Sequence, residues 1–242
     1  PEHGLNNDYQ AGEKIMGDMS YNIPIISLYG ESFKPTKEDL EGLDALIFDI
    51  QDIGSRYYTY VSTLTNIMDV CGEFDLPLYV LDRPNPIGNK IEGPILDMNY
   101  SSFVGMHPIP IVHGMTIGEI AYMVNELNWI DYYIDLRIVK IQGWERDMYF
   151  ENTGKKWISP SPNIANNATA FIYQGTCLIE GTNLSEGRGT DMPFRYIGAP
   201  WLDSKLLLDE LDKIDLEGVK FKNITFIPRF IPSKSSYPKF KD

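Results

Sequence analysis

The chain has 242 residues, of which 43% are hydrophobic and 12% aromatic, so it can bury one large core or two smaller ones. Its 34 acidic and 21 basic residues give a formal net charge of −13, which disfavours nucleic acid and anionic lipid as partners. The longest apolar runs are far shorter than the roughly 20 residues needed to cross a bilayer, so we expect no transmembrane segment in this chain.

The apolar pattern predicts alternating strands and helices over the first 142 residues. The predicted elements are an extended run at 23–29, a helix at 37–43, a strand at 45–50, a helix at 60–74, a strand at 78–81, a helix at 117–127 and a strand at 136–141. Thr116 and Glu119 are placed to cap the helix at 117–127. Such alternation favours an α/β fold with a mainly parallel, Rossmann-like sheet covered by helices.

The amino-acid composition changes after Gly143 and Trp144, where Gly, Pro, Asn and aromatic residues become more frequent. Short strands are predicted at 170–173 and 218–226, with one helix at 204–213. We therefore divide the chain into a Rossmann-like domain, residues 1–142, and a smaller α+β domain, residues 143–242. The first four residues resemble neither an initiator region nor a signal peptide, and the last three do not complete a helix or strand, so we expect both ends to be cut.

Polar side chains follow two of the predicted buried strands, where an open α/β sheet binds its ligands. Asp49 and Asp52 come directly after the strand at 45–50, followed by Arg56 and Tyr58, and Asn85 follows the strand at 78–81. Charges at a buried strand end are costly unless they are used or paired. We expect Asp52 to face a cleft, whereas Asp49 either binds substrate or makes a structural contact with Arg56 or a backbone turn.

Glu2 and His3 place a carboxyl group beside an imidazole, between Pro1 and Gly4. General acid–base chemistry uses such groups, and a glycosidase needs a carboxyl group that holds a proton near neutral pH. The alternative is an ordinary surface turn, since proline and glycine alone predict one.

A glycine-rich segment at 181–190 contains Glu186 and Arg188. Its backbone amides and the guanidinium group suit an anionic ligand such as a carboxylate or phosphate. The alternative is that Glu186 and Arg188 pair with each other. Asn163 is a candidate for hydrogen bonding to a sugar, and Trp144 and Trp201 are candidates for stacking on it, although a single aromatic ring more often belongs to a core.

Several familiar motifs are missing from the sequence. It contains neither of the glycine-rich nucleotide-binding loops and none of the usual zinc-ligand spacings, while His107 and His113 flank a proline-rich stretch. Cys71 and Cys177 both stand in apolar contexts typical of buried thiols. We expect no metal, no cofactor and no disulfide.

Taken together, eight motifs make the sequence recognisable. They are PEHG at 1–4, FDIQDIGSRYYTY at 48–60, LDRPNP at 81–86, EGP at 92–94, HGMTIGE at 113–119, PSPN at 160–163, EGTNLSEGRGT at 180–190 and GAPW at 198–201. In this set and order the chain resembles the family called domain of unknown function 1343 (DUF1343), which includes exo-β-N-acetylmuramidases.

The resemblance implies a Rossmann-like domain and a smaller domain with a cleft between them, and release of terminal N-acetylmuramic acid from the non-reducing end of peptidoglycan fragments. It implies a secreted or periplasmic protein, with any signal peptide or lipid anchor upstream of this chain. It also implies Glu2 as the catalytic carboxyl group. The family often continues this motif with an aromatic residue, an arginine and a glycine, where this chain has Leu5, Asn6 and Asn7.

The resulting hypothesis is a cofactor-free glycosidase in which Glu2 protonates the leaving oxygen and His3 tunes or relays that proton. Asp52 is the candidate second carboxylate, and Arg188 or Arg56 would bind the lactyl carboxylate of the sugar. Two alternatives stay open: a non-catalytic muropeptide-binding protein, and an esterase or amidase acting on wall material. A serine hydrolase would need a Gly-x-Ser-x-Gly elbow, which the sequence lacks.

Overall fold

The structure, a computed structural model, describes residues 19–20, 23–29, 33–214, 216–230 and 239. Glu2 and His3 lie outside the described residues, as do Leu5, Asn6 and Asn7, where the sequence departs from the family pattern. Among the residues described, no helix combines the length and the apolar character that a membrane span requires.

A parallel sheet forms the centre of the described region. It follows a short antiparallel pair, β1 (Met19–Ser20) and β2 (Ile23–Pro24). Its strands are β3 (Leu46–Phe48), β4 (Leu78–Leu81) and a strand at Leu136–Val139, with β4 in the middle. Parallel neighbours need long crossovers, and the first of these contains a 14-residue helix. The α/β class and the mainly parallel sheet are as predicted.

The remaining elements fall before, between and after the strands of the parallel sheet. In chain order they are α1 (Lys37–Leu40), α2 (Tyr60–Glu73), β5 (Glu92–Ile95), β6 (Pro110–Val112), α3 (Ile117–Glu126), β7 (Leu136–Val139, the third strand of the parallel sheet), α4 (Asn167–Thr176) and α5 (Ser204–Leu211). Strands β5 and β6 pair with each other in antiparallel fashion. Short 3₁₀ helices lie at Met98–Tyr100, Phe150–Thr153 and Cys177–Gly181.

Two buried clusters hold these elements together. The first packs α2 and α3 against the parallel sheet and contains Leu64, Met68, Leu78, Val80, Ile120 and Val124, among others. The second joins the loop after β3 to α4 and to the segments beyond it, through Ile53, Tyr58, Tyr60, Ile164, Tyr173 and Phe194. The loop after β3 is therefore fixed from both sides, by the sheet and by the second half of the chain.

Two predicted strands are wrong. Residues 170–173 lie inside α4, where Ala170, Tyr173 and Cys177 are buried at helical spacing while Phe171 is 51% exposed. The exposed apolar neighbours Phe171 and Ile172 gave the segment the continuous run of a buried strand. Residues 218–226 form no regular element. The division into domains at residue 142 stays a prediction.

Candidate active site at the carboxyl end of the parallel sheet

The loops that follow β3 and β4 are tied together by two side chains. Gln51 donates from Nε2 to the carbonyl oxygens of Asp52, at 2.7 Å, and of Pro84, at 2.8 Å. Arg83 donates from Nε to Oδ1 of Asp49 at 2.7 Å. We expected Arg56 or a backbone turn as the structural partner of Asp49, and this is wrong because Arg83 reaches it directly from the neighbouring strand end. The Asp49 side chain is 45% exposed.

Asp52 is buried, 5% exposed, and lies against an equally buried histidine. Its Oδ2 accepts a hydrogen bond from the amide of Gly54 at 2.7 Å. Nε2 of His113 lies 3.3 Å from the same oxygen. On the other side of the ring, Nδ1 of His113 accepts a hydrogen bond from the amide of Met115 at 3.2 Å. The site therefore contains a carboxyl group and an imidazole in contact, and these are the groups that enzymes most often use for proton transfer.

His113 was missed as a site residue in the sequence, where it was considered only as a metal ligand. The sequence feature that could have identified His113 is its position directly after β6 and three residues before Thr116, the N-cap of α3. Nothing in the local pattern connects it with Asp52. The contact arises because the amide of His113 binds the carbonyl of Gly54 at 3.3 Å, next to a bridge between Ser55 and Val112.

Asn85 supports this loop from the β4 side. It is buried, donates from Nδ2 to the carbonyl of Met115 at 3.0 Å, and accepts at Oδ1 from the amide of Ile87 at 3.1 Å. Both the nitrogen and the oxygen of the Asn85 side-chain amide are thus hydrogen-bonded within the protein. These contacts favour a supporting role for Asn85, whose assignment to substrate binding stays a prediction.

Asp82, at the end of β4, links the sheet to the start of α3. Its carboxylate accepts from the amide of Gly118 at 2.8 Å and from the hydroxyl of Thr116 at 2.9 Å. Burial raises the pKa of Asp82, and these hydrogen bonds oppose the rise. Negative charge at a helix N-terminus is favourable, so Asp82 anchors α3 beside the site.

Arg56 lies inside the protein, with 6% of its surface exposed. Its Nη1 donates to the carbonyl oxygens of Pro94 at 2.9 Å and Ile109 at 2.6 Å, and its guanidinium stacks 5.2 Å from the ring centre of Tyr57. Arg56 therefore fastens the β5–β6 pair to the loop after β3. These contacts favour a structural role over the binding of a sugar carboxylate.

A chain of aromatic rings connects the loop after β3 with the second half of the protein. Tyr58 is buried and meets Tyr60 and Tyr173 edge to face, with ring centres 4.9 and 6.0 Å apart. Tyr60 donates its hydroxyl proton to the carbonyl of Pro160 at 2.9 Å, in the segment that carries the buried Asn163. Tyr58 and the segment that carries Asn163 thereby meet at Tyr60, the first residue of α2.

The glycine-rich segment surrounds a buried carboxylate. Glu186 is 1% exposed and accepts a hydrogen bond from Nη1 of Arg188 at 2.9 Å, while Nη2 of Arg188 pairs with Glu180. The pKa of Arg188 is raised, since the two carboxylates outweigh the opposing effect of burial. The guanidinium also lies 5.1 Å from the ring centre of Phe194, which meets Tyr173 edge to face. The ion pair between Glu186 and Arg188, which was the alternative to binding of an anionic ligand by this segment, is therefore present in the structure.

Lys239 completes this region. Its ammonium group, which has three N–H donors, lies within hydrogen-bond distance of four backbone carbonyl oxygens, at 2.8 to 3.0 Å, and 3.2 Å from Oε2 of Glu186. The four carbonyls belong to Ile179, Glu180, Thr182 and Leu184. Glu186 thus has two cationic neighbours, which offset the cost of burying its charge.

The two histidines considered as metal ligands have separate surroundings. His107 lies 2.7 Å from the Thr65 hydroxyl through Nε2, stacks on Trp129, and has its pKa lowered to about 4 by burial. His113 faces Asp52 instead. Across the described part of the chain, no group of three or more potential metal-ligating side chains comes together.

Two family models match the chain along its length. The model described as exo-beta-N-acetylmuramidase NamZ, N-terminal, matches residues 1–168, and its C-terminal counterpart matches residues 171–242. The chain is 48% identical over 233 residues to the protein named peptidoglycan beta-N-acetylmuramidase NamZ from Bacillus subtilis (strain 168), which covers 95% of this chain and 56% of that protein.

Two crystal structures of DUF1343 family proteins from Bacteroides fragilis NCTC 9343 have the same fold, each at 38% identity. One aligns with a TM-score of 0.86 over 98% of this chain and 61% of its own, and the other with 0.74 over 90% and 55%. The chain thus spans about half the length of the relatives it matches. It belongs to the family of exo-beta-N-acetylmuramidase NamZ, the DUF1343 family.

Proposed function

We propose that the whole protein is an exo-acting β-N-acetylmuramidase, which releases terminal N-acetylmuramic acid from the non-reducing end of peptidoglycan fragments. The observation that carries this proposal is the 48% identity, over 95% of this chain, to a protein named peptidoglycan beta-N-acetylmuramidase. The match covers only 56% of the relative's length, so the activity is proposed for the whole protein and tested on it.

The described site supports carboxyl-based chemistry. Most glycosidases use two carboxyl groups that flank the scissile bond. We assign the proton donor to Glu2, assisted by His3, because both stand in the PEHG motif at 1–4. Asp52 is assigned as the second carboxylate, since it lies at the carboxyl end of β3 in contact with an imidazole.

Substrate contacts are assigned to the further site residues predicted from the sequence. The polar and aromatic candidates are Asp49, Tyr58, Asn85, Asn163 and Glu186. For the lactyl carboxylate, Arg188 is a better candidate than Arg56. Arg188 keeps 27% of its side-chain surface exposed, whereas Arg56 is buried and bound to two carbonyls. A guanidinium group suits a carboxylate because its N–H groups form a planar fork.

The proposed substrate places the protein outside the cytoplasm, where peptidoglycan fragments are met. We therefore propose a secreted or periplasmic protein, either free or held by a lipid anchor upstream of this chain. Fractionation of the native host, followed by detection with an antibody, tests this part of the proposal. Recovery in the cytoplasmic fraction would contradict it.

The activity itself is tested on full-length protein with two chromogenic substrates, an N-acetylmuramic acid β-glycoside and its N-acetylglucosamine counterpart. We expect chromophore release from the muramoside and little from the glucosaminide. A muramoside whose non-reducing end carries a further sugar should not be cleaved, because the proposed action is exo. Binding of muropeptides without cleavage would favour a receptor instead, and release of ester- or amide-linked groups would favour an esterase or amidase.

A further inference from the structure

The contact between Asp52 and His113 leaves two buried polar atoms without a hydrogen bond. Oδ1 of Asp52 and Nε2 of His113 have no hydrogen-bond partner among the residues that the structure describes. Nε2 lies 3.3 Å from Oδ2 of Asp52, but the N–H group is not aligned with that oxygen. Buried polar atoms without partners are rare in folded proteins and call for an explanation, of which a role in catalysis is one.

The hydrogen bond to the imidazole identifies the tautomer of its neutral form. The amide of Met115 donates to Nδ1 of His113, so Nδ1 carries a lone pair rather than a proton. In the neutral ring the proton is then on Nε2, the atom that faces Asp52. An imidazolium would direct an N–H group at the amide N–H of Met115. In the neutral tautomer the Nε2–H group faces Oδ2 of Asp52 at 3.3 Å.

The backbone around His113 belongs to the same loops as the carboxylate. Its amide donates to the carbonyl of Gly54, and the amide of Gly54 donates to Oδ2 of Asp52. The carbonyl of Met115, on the other side, accepts from Asn85. His113 is thus fixed by both strand-end loops of the site. His107 differs, since it is bonded to Thr65 on α2 and stacked on Trp129.

We propose that His113 is the positioning residue of Asp52 in the muramidase reaction. Nε2 faces Oδ2 of the carboxylate at 3.3 Å and would orient it during the reaction, while the buried Oδ1 is left as a second acceptor of the site. Hydrogen bonds of a catalytic site are often long or poorly aligned in the free enzyme and tighten in the complex, as this contact would. This inference rests on the proposed function.

The test compares two substitutions in full-length protein. In His113→Gln the side-chain amide nitrogen takes the place of Nε2, whereas in His113→Asn the shorter amide does not reach it. We expect His113→Asn to lower kcat on the chromogenic muramoside about a hundredfold with little change in KM, the usual cost of a misplaced catalytic group. His113→Gln should retain most of the wild-type kcat.

Two controls separate positioning from packing. His107→Asn removes the other described buried histidine and should lower the melting temperature without lowering kcat. In the background of Asp52→Asn, the further change His113→Asn should cost almost nothing in kcat, because the two residues act as one unit. Additive losses in the double variant would overturn the proposal, because independent structural effects add.

Further outcomes are equally decisive. Equal kcat losses in the Gln and Asn variants, or a loss of folding in both, would make His113 a packing residue and overturn the proposal. The proposal would also be overturned if the wild-type protein and the His113→Asn variant cleaved the muramoside equally well. If the wild-type protein cleaves no muramoside, the proposed function fails, and the positioning role in this reaction fails with it.

Discussion

The backbone of Gly54 lies so close to the side chain of Asn85 that a Cβ added at residue 54 would be 2.5 Å from Oδ1 of Asn85. Gly54 also has a φ of 81°, in the left-handed region that favours glycine. The two residues come from the loops after β3 and β4, which carry the candidate site. Their contact sets the distance between those loops, so only glycine satisfies both the conformation and the space.

Gly54→Ala should therefore disturb the site beyond its effect on backbone strain. We expect kcat/KM on the muramoside to fall about a hundredfold, because displacement of Asn85 moves the Met115 carbonyl and the imidazole beside it. Gly143→Ala is the matched control: φ is 71°, and a Cβ there meets nothing within 4 Å. Both variants carry left-handed strain of about 1–2 kcal/mol. Equal kcat/KM values in the two variants would show that the contact between Gly54 and Asn85 does not determine the geometry of the site.

Glu2→Gln should retain ligand binding and folding but lower kcat by about a hundredfold or more, the size of a general-acid contribution. Glutamine has the shape of glutamate but donates no proton to a leaving oxygen. Turnover is measured with the chromogenic muramoside on full-length protein, and binding of the released sugar by calorimetry. Near-wild-type turnover would exclude Glu2 as the acid.

Arg188→Ala should destabilise the protein because it removes a partner from the buried carboxylate of Glu186. Loss of one member of a buried ion pair costs up to about 3–5 kcal/mol, and the remaining contact to Lys239 reduces this cost. Denaturant unfolding gives the value. Arg137→Ala is the control, since its pair with Asp135 is exposed and should matter little. The double variant Glu186→Gln with Arg188→Met should recover part of the loss.

The same Arg188→Ala variant also tests the carboxylate clamp, provided that it remains folded at the assay temperature. A clamp predicts that KM for the muramoside rises roughly ten- to a hundredfold, since a charge-assisted hydrogen bond contributes about 1.5–3 kcal/mol. KM for the uncharged glucosaminide should stay the same. An equal rise for both substrates would leave Arg188 with only its structural role.

Cys71 and Cys177 should react slowly with thiol reagents in the folded protein. Both are buried and free, and burial raises the pKa of each thiol to about 12. At pH 8 the reactive thiolate is then scarce, in addition to being inaccessible. Absorbance after addition of a disulfide reagent should rise only once the protein is denatured, when both cysteines react. Rapid labelling of the native protein would show that one of the two is accessible.

The sequence predicts those features that depend on neighbouring residues. The capping box of Thr116 and Glu119 starts α3 where expected, and the buried strands β3 and β4 end in the polar loops that carry Asp49 and Asp52. Helix α4 was misread as a strand because its exposed apolar residues obscured the helical period.

Contacts between distant segments could not be predicted. His113 meets Asp52 because the loop after β3 bridges to β6 at Ser55 and Val112. Arg83 rather than Arg56 meets Asp49 because the register of the parallel sheet brings the ends of β3 and β4 together. Sheet register is a property of the whole fold, and no local motif encodes it. The sequence therefore indicates which residue types serve the site, but not which of them pair.

The four carbonyl oxygens and one carboxylate around the ammonium of Lys239 form the kind of oxygen-lined shell that elsewhere in proteins replaces the hydration of a potassium ion. Here the cation is covalently attached to the polypeptide. The loop from Ile179 to Leu184 is thus held by a cation that residue 239 of the same chain supplies. A cation held by a covalent bond does not exchange with the ions of the medium.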